Sequence, residues 1–245
     1  NWVMQTDIVD FYMDKNVNVV IPMSGQYSYY TDWVSENANL GGKQKWETFL
    51  TKELPGPLEK TLKASNQRAI AGMSMTATTS LLYAEHHPGF YDAVGSFSGC
   101  AQTSEGPALE YVRTVLSRGK ATPEEMWGPV GTETWAYNDA LINAEKLRGA
   151  PMYVSNGSGV AGQSDMVSSP HMHGDLGFAA GTVIIGGAIE GATNLCTHDL
   201  KARLDAAGIG ADWNFHPTGT HSWGYWQDDL RGSWPTFARA FGMQP

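Results

Sequence analysis

The sequence is short of charge, short of cysteine and without a long apolar run, and each shortage removes a class of protein. Charged residues are 17% of the 245, against about 25% in soluble proteins generally. A disordered chain needs high charge and few aromatics, whereas aromatics here reach 11%. Lysine and arginine number 16 against 25 acidic residues, a net charge of -9. With no basic cluster, nucleic acid is not an expected partner. No uninterrupted apolar run reaches about 18 residues, so no membrane span is expected. The opening Asn1-Trp2-Val3-Met4 carries neither a basic nor an apolar leader region, so no signal peptide is visible. Two cysteines, Cys100 and Cys196, are too few for a disulfide scaffold or a zinc site. They are two buried thiols or one bridge. Few lysines, with abundant Gly, Trp, Ser and Thr, lean towards an exported protein.

What is present is an alternation. Val3 to Lys15 reads as a helix and the β-branched run Val17 to Ile21 as a buried strand. Ser24 to Leu40 reads as an aromatic loop. Lys45 to Leu62 is amphipathic, with Pro55 and Pro57 interrupting it. Arg68 to Ala71 is a strand that runs into Gly72-Met73-Ser74-Met75-Thr76 and a helix ending at His87. Ala93 to Phe97, Met152 to Val154 and Trp213 to His216 are further strands. Glu105 to Ser117, Asn138 to Leu147 and Gln227 to Phe241 are helical. Val183 to Ala207 is a long helical stretch that Gly186, Gly187 and Gly191 should break or kink. Strands separated by helices mean a parallel sheet covered on both faces, so residues 1–245 read as a single α/β domain. An interior-type strand this early suggests that residues before Asn1 are absent from the sequence.

The strand–Gly72-x-Ser74–helix order suits a nucleophile elbow, in which a strained turn lifts a serine hydroxyl above a sheet. The following helix aims its N–H groups at the same point, favouring a developing oxyanion. The usual G-x-S-x-G ends here on Thr76. The bland alternative is a helix N-cap, the commoner role for serine before a helix.

A serine nucleophile needs a base and an orienting acid, following in that fold as acid and then histidine. His221 lies on a loop after the last strand, where the base belongs. His86 and His87 end the helix that starts at Ser74 and point away from its tip. His171 and His173 alternate on a loop with no further ligand to complete a metal site. His216 sits in the strand pattern and His198 on a helix surface. Asp165, Asp175, Glu190 and Asp199 are the acid candidates. Glu190 stands alone in an apolar stretch, where a carboxylate must be paired or face a cleft. The residues by themselves leave Glu190 and the aspartates open.

Two motifs read as chance matches: Gly157 to Gly162 as G-x-G-x-x-G with no helix behind it, and Asn156-Gly157-Ser158 as a glycosylation sequon. The aromatic segments Tyr27 to Trp33 and Trp223 to Trp226 are either core or the walls of a sugar or lipid site.

Gly219-Thr220-His221-Ser222-Trp223-Gly224-Tyr225-Trp226 resembles a segment of the antigen 85 mycolyltransferases. So do Val20 to Trp33, Lys45 to Leu50, Met126-Trp127-Gly128-Pro129 and the Gly72-Met73-Ser74-Met75 turn, which in that family also lacks the final glycine. The similarity runs from Asn1 to about Trp226. It implies an α/β-hydrolase fold, secretion to the cell envelope and transfer of a mycoloyl chain from a trehalose monoester to trehalose, arabinogalactan or another envelope hydroxyl. No cofactor is implied. The family's triad uses glutamate, which settles the acid on Glu190 beside Ser74 and His221. Met75 N–H is the implied oxyanion donor, with a second from an early loop that would precede Asn1. Sugar contacts fall on Ser222 and Trp223, on Gln102, and around Ala192 to Leu195, including Asn194. Cys100 and Cys196 differ from the family's usual pair, yet both follow site motifs, which leaves a bridge between them open. Two rivals stay in view: a carboxylesterase of the same fold, and a non-catalytic envelope or host-matrix binding protein.

Overall fold

The computed structural model describes residues 1–244. Two short helices, Trp2–Gln5 and Ile8–Tyr12, open the chain, split where the Thr6 hydroxyl turns back onto the Trp2 carbonyl. The expected strand at Val17 to Ile21 is absent. No strand pairs with it among the described residues, and Val19 and Val20 are exposed. A hairpin not expected from the sequence follows, β1 (Asp32–Asn37) against β2 (Gly42–Lys45), antiparallel. The Lys45 to Leu62 stretch is interrupted at Pro55 as expected: helical turns at Trp46–Thr48 and Phe49–Glu53 end before it, and α1 (Pro55–Leu62) opens on it, with proline in the first turn, where no N–H is needed.

The main sheet has four parallel strands in the order β3 (Ala69–Met73), β4 (Ala93–Phe97), β5 (Met152–Asn156) and β6 (Asp212–Phe215). Between and after them run α2 (Met75–His86), α3 (Gly106–Arg118), α4 (Leu176–Ala206) and α5 (Trp223–Ala240). Strand side chains alternate between faces. Val94, Met152 and Val154 therefore pack with Leu81 and Leu82 of α2 and Leu200 and Leu204 of α4. On the opposite face Phe97 and Tyr153 meet Trp226 and Leu230 of α5, while Ala93 meets Trp234 and Phe237. Both faces are covered, which is why β4 and β5 read as buried throughout.

Two helix expectations need correction. Asn138 to Leu147 is a turn followed by a short 3-10 segment, Ala144–Leu147. The Asp139 carboxylate takes the backbone N–H groups of Leu141 and Ile142, and of Thr103 and Ser104 across the gap, and this local capping outcompetes helix. In α4 the glycines do not break the helix. It runs unbroken from Leu176 through a π turn at Thr182–Gly186. Gly187 is there for close approach, since a Cβ on it would lie 2.7 Å from the Gly159 carbonyl oxygen.

The expectation of no membrane-length apolar segment also changes. Leucine, phenylalanine, valine, isoleucine and alanine give α4 a window of mean hydropathy 1.4, long and apolar enough to cross a membrane by composition. Its inner side, with Glu190, Thr193, Thr197, Leu200 and Leu204, is buried, while Leu176, Ile184, Ile185 and Leu195 are exposed.

Candidate active site

The C-terminal ends of the four parallel strands place the site, as they do in open α/β sheets generally. β3 ends at Met73 and turns sharply at Ser74, whose φ of 58° and ψ of -125° are a strained conformation for a non-glycine residue. The turn is held from three sides. Ser74 N–H donates to the Phe97 carbonyl at 2.9 Å. Thr76 Oγ1 donates to the Met73 carbonyl at 2.8 Å and accepts from Met73 N–H at 2.9 Å. Threonine in place of the usual last glycine thus ties the elbow with its hydroxyl. Gly72 is obligatory, because a Cβ there would collide with the Thr76 carbonyl. Ser74 stands at the N-cap position of α2, yet its side chain makes no capping bond, so the N-cap alternative does not describe it.

Its Oγ instead lies 2.8 Å from His221 Nε2, and His221 Nδ1 lies 2.8 Å from Glu190 Oε2. Three residues from β3, α4 and the loop after β6 form one hydroxyl–imidazole–carboxylate line. Such a line can pass the serine proton to the imidazole while the carboxylate fixes the ring and stabilises the imidazolium. Met75 opens α2 directly after Ser74 and lines the cleft, and its N–H has no partner inside the helix.

Glu190 is fully buried, and its second oxygen is saturated. Oε1 accepts from Ser98 Oγ at 2.7 Å, Asn156 Nδ2 at 2.9 Å and Gly157 N–H at 2.7 Å. Ser98 in turn receives the Trp226 indole N–H at 3.0 Å. These donors satisfy the hydrogen-bonding needs of a carboxylate oxygen that has no exposure to water. The sequence reading missed all three. Their only signal was position, at the ends of β4 and β5. Asn156, with no exposed surface, is no glycosylation site.

The His221 loop is pinned by Asp165. This buried aspartate accepts from Thr220 Oγ1 at 2.6 Å, Ser222 Oγ at 3.2 Å, Tyr225 Oη at 2.7 Å and Gly162 N–H at 2.8 Å. His221 N–H itself donates to the Gly186 carbonyl at the end of the π turn, at 3.2 Å. Of the other acid candidates, Asp175 caps the start of α4 through Phe178 N–H, and Asp199 is exposed.

Ser74 and His221 open onto a cleft of about 1990 Å³, whose walls include Met75, Val115, Ile185, Ile189, Ser222 and Trp223. Two expected contact residues, Ser222 and Trp223, thus line the cleft with the serine. Gln102 and Asn194 do not. Gln102 lies in the loop after β4, and Asn194 donates to the Gly157 carbonyl at 2.9 Å. Cys100 and Cys196 are joined as a disulfide between that loop and α4. His86 and His87 both reach Glu47, at 2.9 and 2.8 Å, away from Ser74. His171 lies at the cleft rim and His198 stacks on Phe215. Among the described residues no cluster of His, Cys, Asp and Glu could hold a metal ion.

A four-stranded parallel sheet with a serine elbow at the end of its first strand defines an α/β-hydrolase fold, and the family model described as "Putative esterase" matches residues 3–237. The chain is accordingly an acyl-transferring enzyme of the hydrolase type. It belongs to the antigen 85 mycolyltransferase family. It is 30% identical over 252 residues to the diacylglycerol acyltransferase/mycolyltransferase Ag85A of Mycobacterium ulcerans, and 33% identical over 256 residues to that of Mycobacterium bovis; each match spans 100% of this chain and 70% of the relative. Among solved structures, MPT51 (FbpC1) of Mycobacterium tuberculosis superposes with a TM-score of 0.79 at 21% identity, covering 98% of this chain and 83% of that one. The Staphylococcus aureus serine hydrolase FphF superposes at 0.61 with 14% identity, covering 96% and 77%. Both likenesses show the fold.

Proposed function

We propose that the protein moves a long-chain, mycoloyl-type acyl group from a trehalose monoester to trehalose, arabinogalactan or another envelope hydroxyl, through an acyl-enzyme on Ser74. The observation that carries this reading is the Ser74–His221–Glu190 line opening onto a large cleft with aliphatic and tryptophan walls. His221 Nε2 takes the Ser74 proton as Oγ attacks the ester carbonyl, and the charge that gathers on the carbonyl oxygen faces Met75 N–H. The tetrahedral adduct collapses as His221 returns the proton to the departing sugar oxygen. A second sugar hydroxyl, deprotonated by His221 in turn, attacks the acyl-enzyme. A cleft that seats a sugar beside Ser74 raises that hydroxyl's effective concentration over water, and the presence of Ser222 and Trp223 in the cleft wall supports this reading. The disulfide and the low lysine content support an exported, envelope-side setting.

Intact-protein mass spectrometry after incubation with a trehalose monoester tests this. The expected result is an acyl adduct on Ser74, discharged faster when trehalose is added, with trehalose diester as product. Discharge at one rate with free acid as product means a carboxylesterase. No adduct in the wild type means a binding protein that keeps the fold.

A further inference from the structure

The Ser74 hydroxyl has a second partner, which no step above uses. Tyr111, on α3, brings Oη to 2.8 Å from Ser74 Oγ. The residue lies 37 positions along the chain from the serine, on a helix that packs beside the elbow. Its hydroxyl has no other hydrogen-bond partner among the described residues.

The direction of this hydrogen bond follows from the rest of the line. The Glu190 carboxylate can only accept, so His221 Nδ1 carries a proton. In the neutral ring Nε2 is then the acceptor, and Ser74 spends its one proton on it. Ser74 Oγ has nothing left to donate to Tyr111. The phenol must therefore donate to the serine oxygen.

We infer that Tyr111 is a further catalytic residue, a neutral hydrogen-bond donor to the serine oxygen that stabilises it whenever its bond to the acyl carbon is forming or breaking. This rests on Ser74 being the nucleophile. In the second half-reaction the acceptor hydroxyl gives its proton to His221 Nε2 as its oxygen bonds to the acyl carbon. The Oγ–carbon bond then breaks with its electron pair left on Oγ, and His221 returns the proton there. While that pair develops, Tyr111 O–H points at it. Attack in the first half-reaction is the same event reversed, so one donor serves both. Tyr111 keeps its own proton throughout. Burial pushes its phenol up to about 12, with Glu190 adding to the rise and the Ser74 hydrogen bond and Arg118 opposing it, so it remains a donor across the working pH range. The bond also fixes the Ser74 rotamer, turning its proton towards His221 before substrate arrives.

The test is Tyr111→Phe in the full-length protein, with the wild type and Ser74→Ala beside it. Labelling by a fluorophosphonate probe reports on acylation, and a p-nitrophenyl ester in stopped flow gives acylation and deacylation separately. A hydrogen bond to an oxygen gathering charge predicts a fall of about 10- to 100-fold in both rate constants, with KM little changed and the melting temperature within about 3 °C. A mere packing role moves melting temperature or KM and leaves both rate constants alone, which overturns the inference. If the phenylalanine variant does not fold, 3-fluorotyrosine at 111 keeps the shape and hydroxyl while lowering the phenol pKa. The alkaline limb of the pH–rate profile then moves to lower pH; an unmoved limb overturns the inference. Labelled wild type, silent Ser74→Ala and an undiminished Tyr111→Phe reject Tyr111 alone. An unlabelled wild type rejects the Ser74 nucleophile, and Tyr111's role with it.

Discussion

Glu190 and His221 meet at 2.8 Å, although one is buried in the middle of a 31-residue helix and the other rides on the loop after the last strand. The carboxylate uses one oxygen for the imidazole and the other for three donors, so its orientation is decided before substrate binds. Glu190→Gln replaces an acceptor-only group with one that can present an N–H to Nδ1 and so favour the wrong tautomer. Turnover of an activated ester is expected to fall by about 10³- to 10⁴-fold, with little loss of stability because the volume is kept. Steady-state kinetics on the purified variant check it, and a wild-type kcat removes Glu190 from the mechanism.

Ser98 tests whether the donors behind Glu190 matter. It passes a hydrogen bond to Glu190 and takes one from Trp226. Ser98→Ala leaves both neighbours short of a partner in a dry interior, at a cost of about 1–3 kcal/mol. Because a misplaced carboxylate misplaces the imidazole, kcat should drop by about 10- to 100-fold with KM nearly constant. Urea unfolding and kinetics on the same sample separate the two effects.

Gly72 fixes the elbow. Gly72→Ala drives a methyl into the Thr76 carbonyl, against backbone that cannot yield without opening the turn. The expected cost is about 3 kcal/mol or more, visible as a lower denaturant midpoint. Soluble variant with an unchanged midpoint would show that the turn relaxes freely.

Much of this arrangement was legible from residue order. Strand, glycine, serine and helix gave the elbow, and the loop after β6 gave His221, because short apolar strands and helix starts are local signals. Glu190 was narrower: a lone carboxylate among apolar residues announces a need for partners without naming them, and the resemblance chose it over the aspartates. Tyr111, Ser98 and Asn156 were illegible, since their roles come from long-range contacts that no local pattern encodes. Val17 to Ile21 shows the reverse failure. Its β-branched run has strand propensity, but a strand exists only where a neighbour supplies its hydrogen bonds. The β1–β2 hairpin hid because its residues are largely polar and its turn is longer than a two-residue signal.

The disulfide bears on stability and on the site together. Cys100 follows β4, and Cys196 lies six residues beyond Glu190 on α4, so the bridge closes a loop with a sequence separation of 96. Loop closure of that length is worth about 4–5 kcal/mol through the unfolded state. Cys100→Ser with Cys196→Ser should lower unfolding free energy by roughly that amount, or less if the unfolded chain keeps structure. Since the bridge holds the Glu190 helix against the end of β4, activity of the remaining folded protein should fall as well. Equal activity per folded molecule, measured with and without reductant, would confine the bridge to stability.

His216 gives the fold a dependence on pH. Its Nε2 lies 2.7 Å from Oδ1 of Asp229, and that hydrogen bond holds its pKa above the ordinary 6.5 against the opposing pull of burial. Asp229, on the buried side of α5, is itself raised above 3.8 by loss of water, although His216 pulls it down. Both groups therefore bind protons more tightly folded than unfolded, and for both the sign is the same: stability is lost as pH rises. The His216 contribution is fully present below about pH 6.5 and disappears as pH passes through its raised folded value. His216→Asn should consequently cost most in acid and progressively less towards alkaline pH. Urea unfolding of wild type and variant at several values between about pH 5.5 and 8.5 measures that difference. A gap that stays constant, or widens with pH, contradicts the assignment of the proton to this pair.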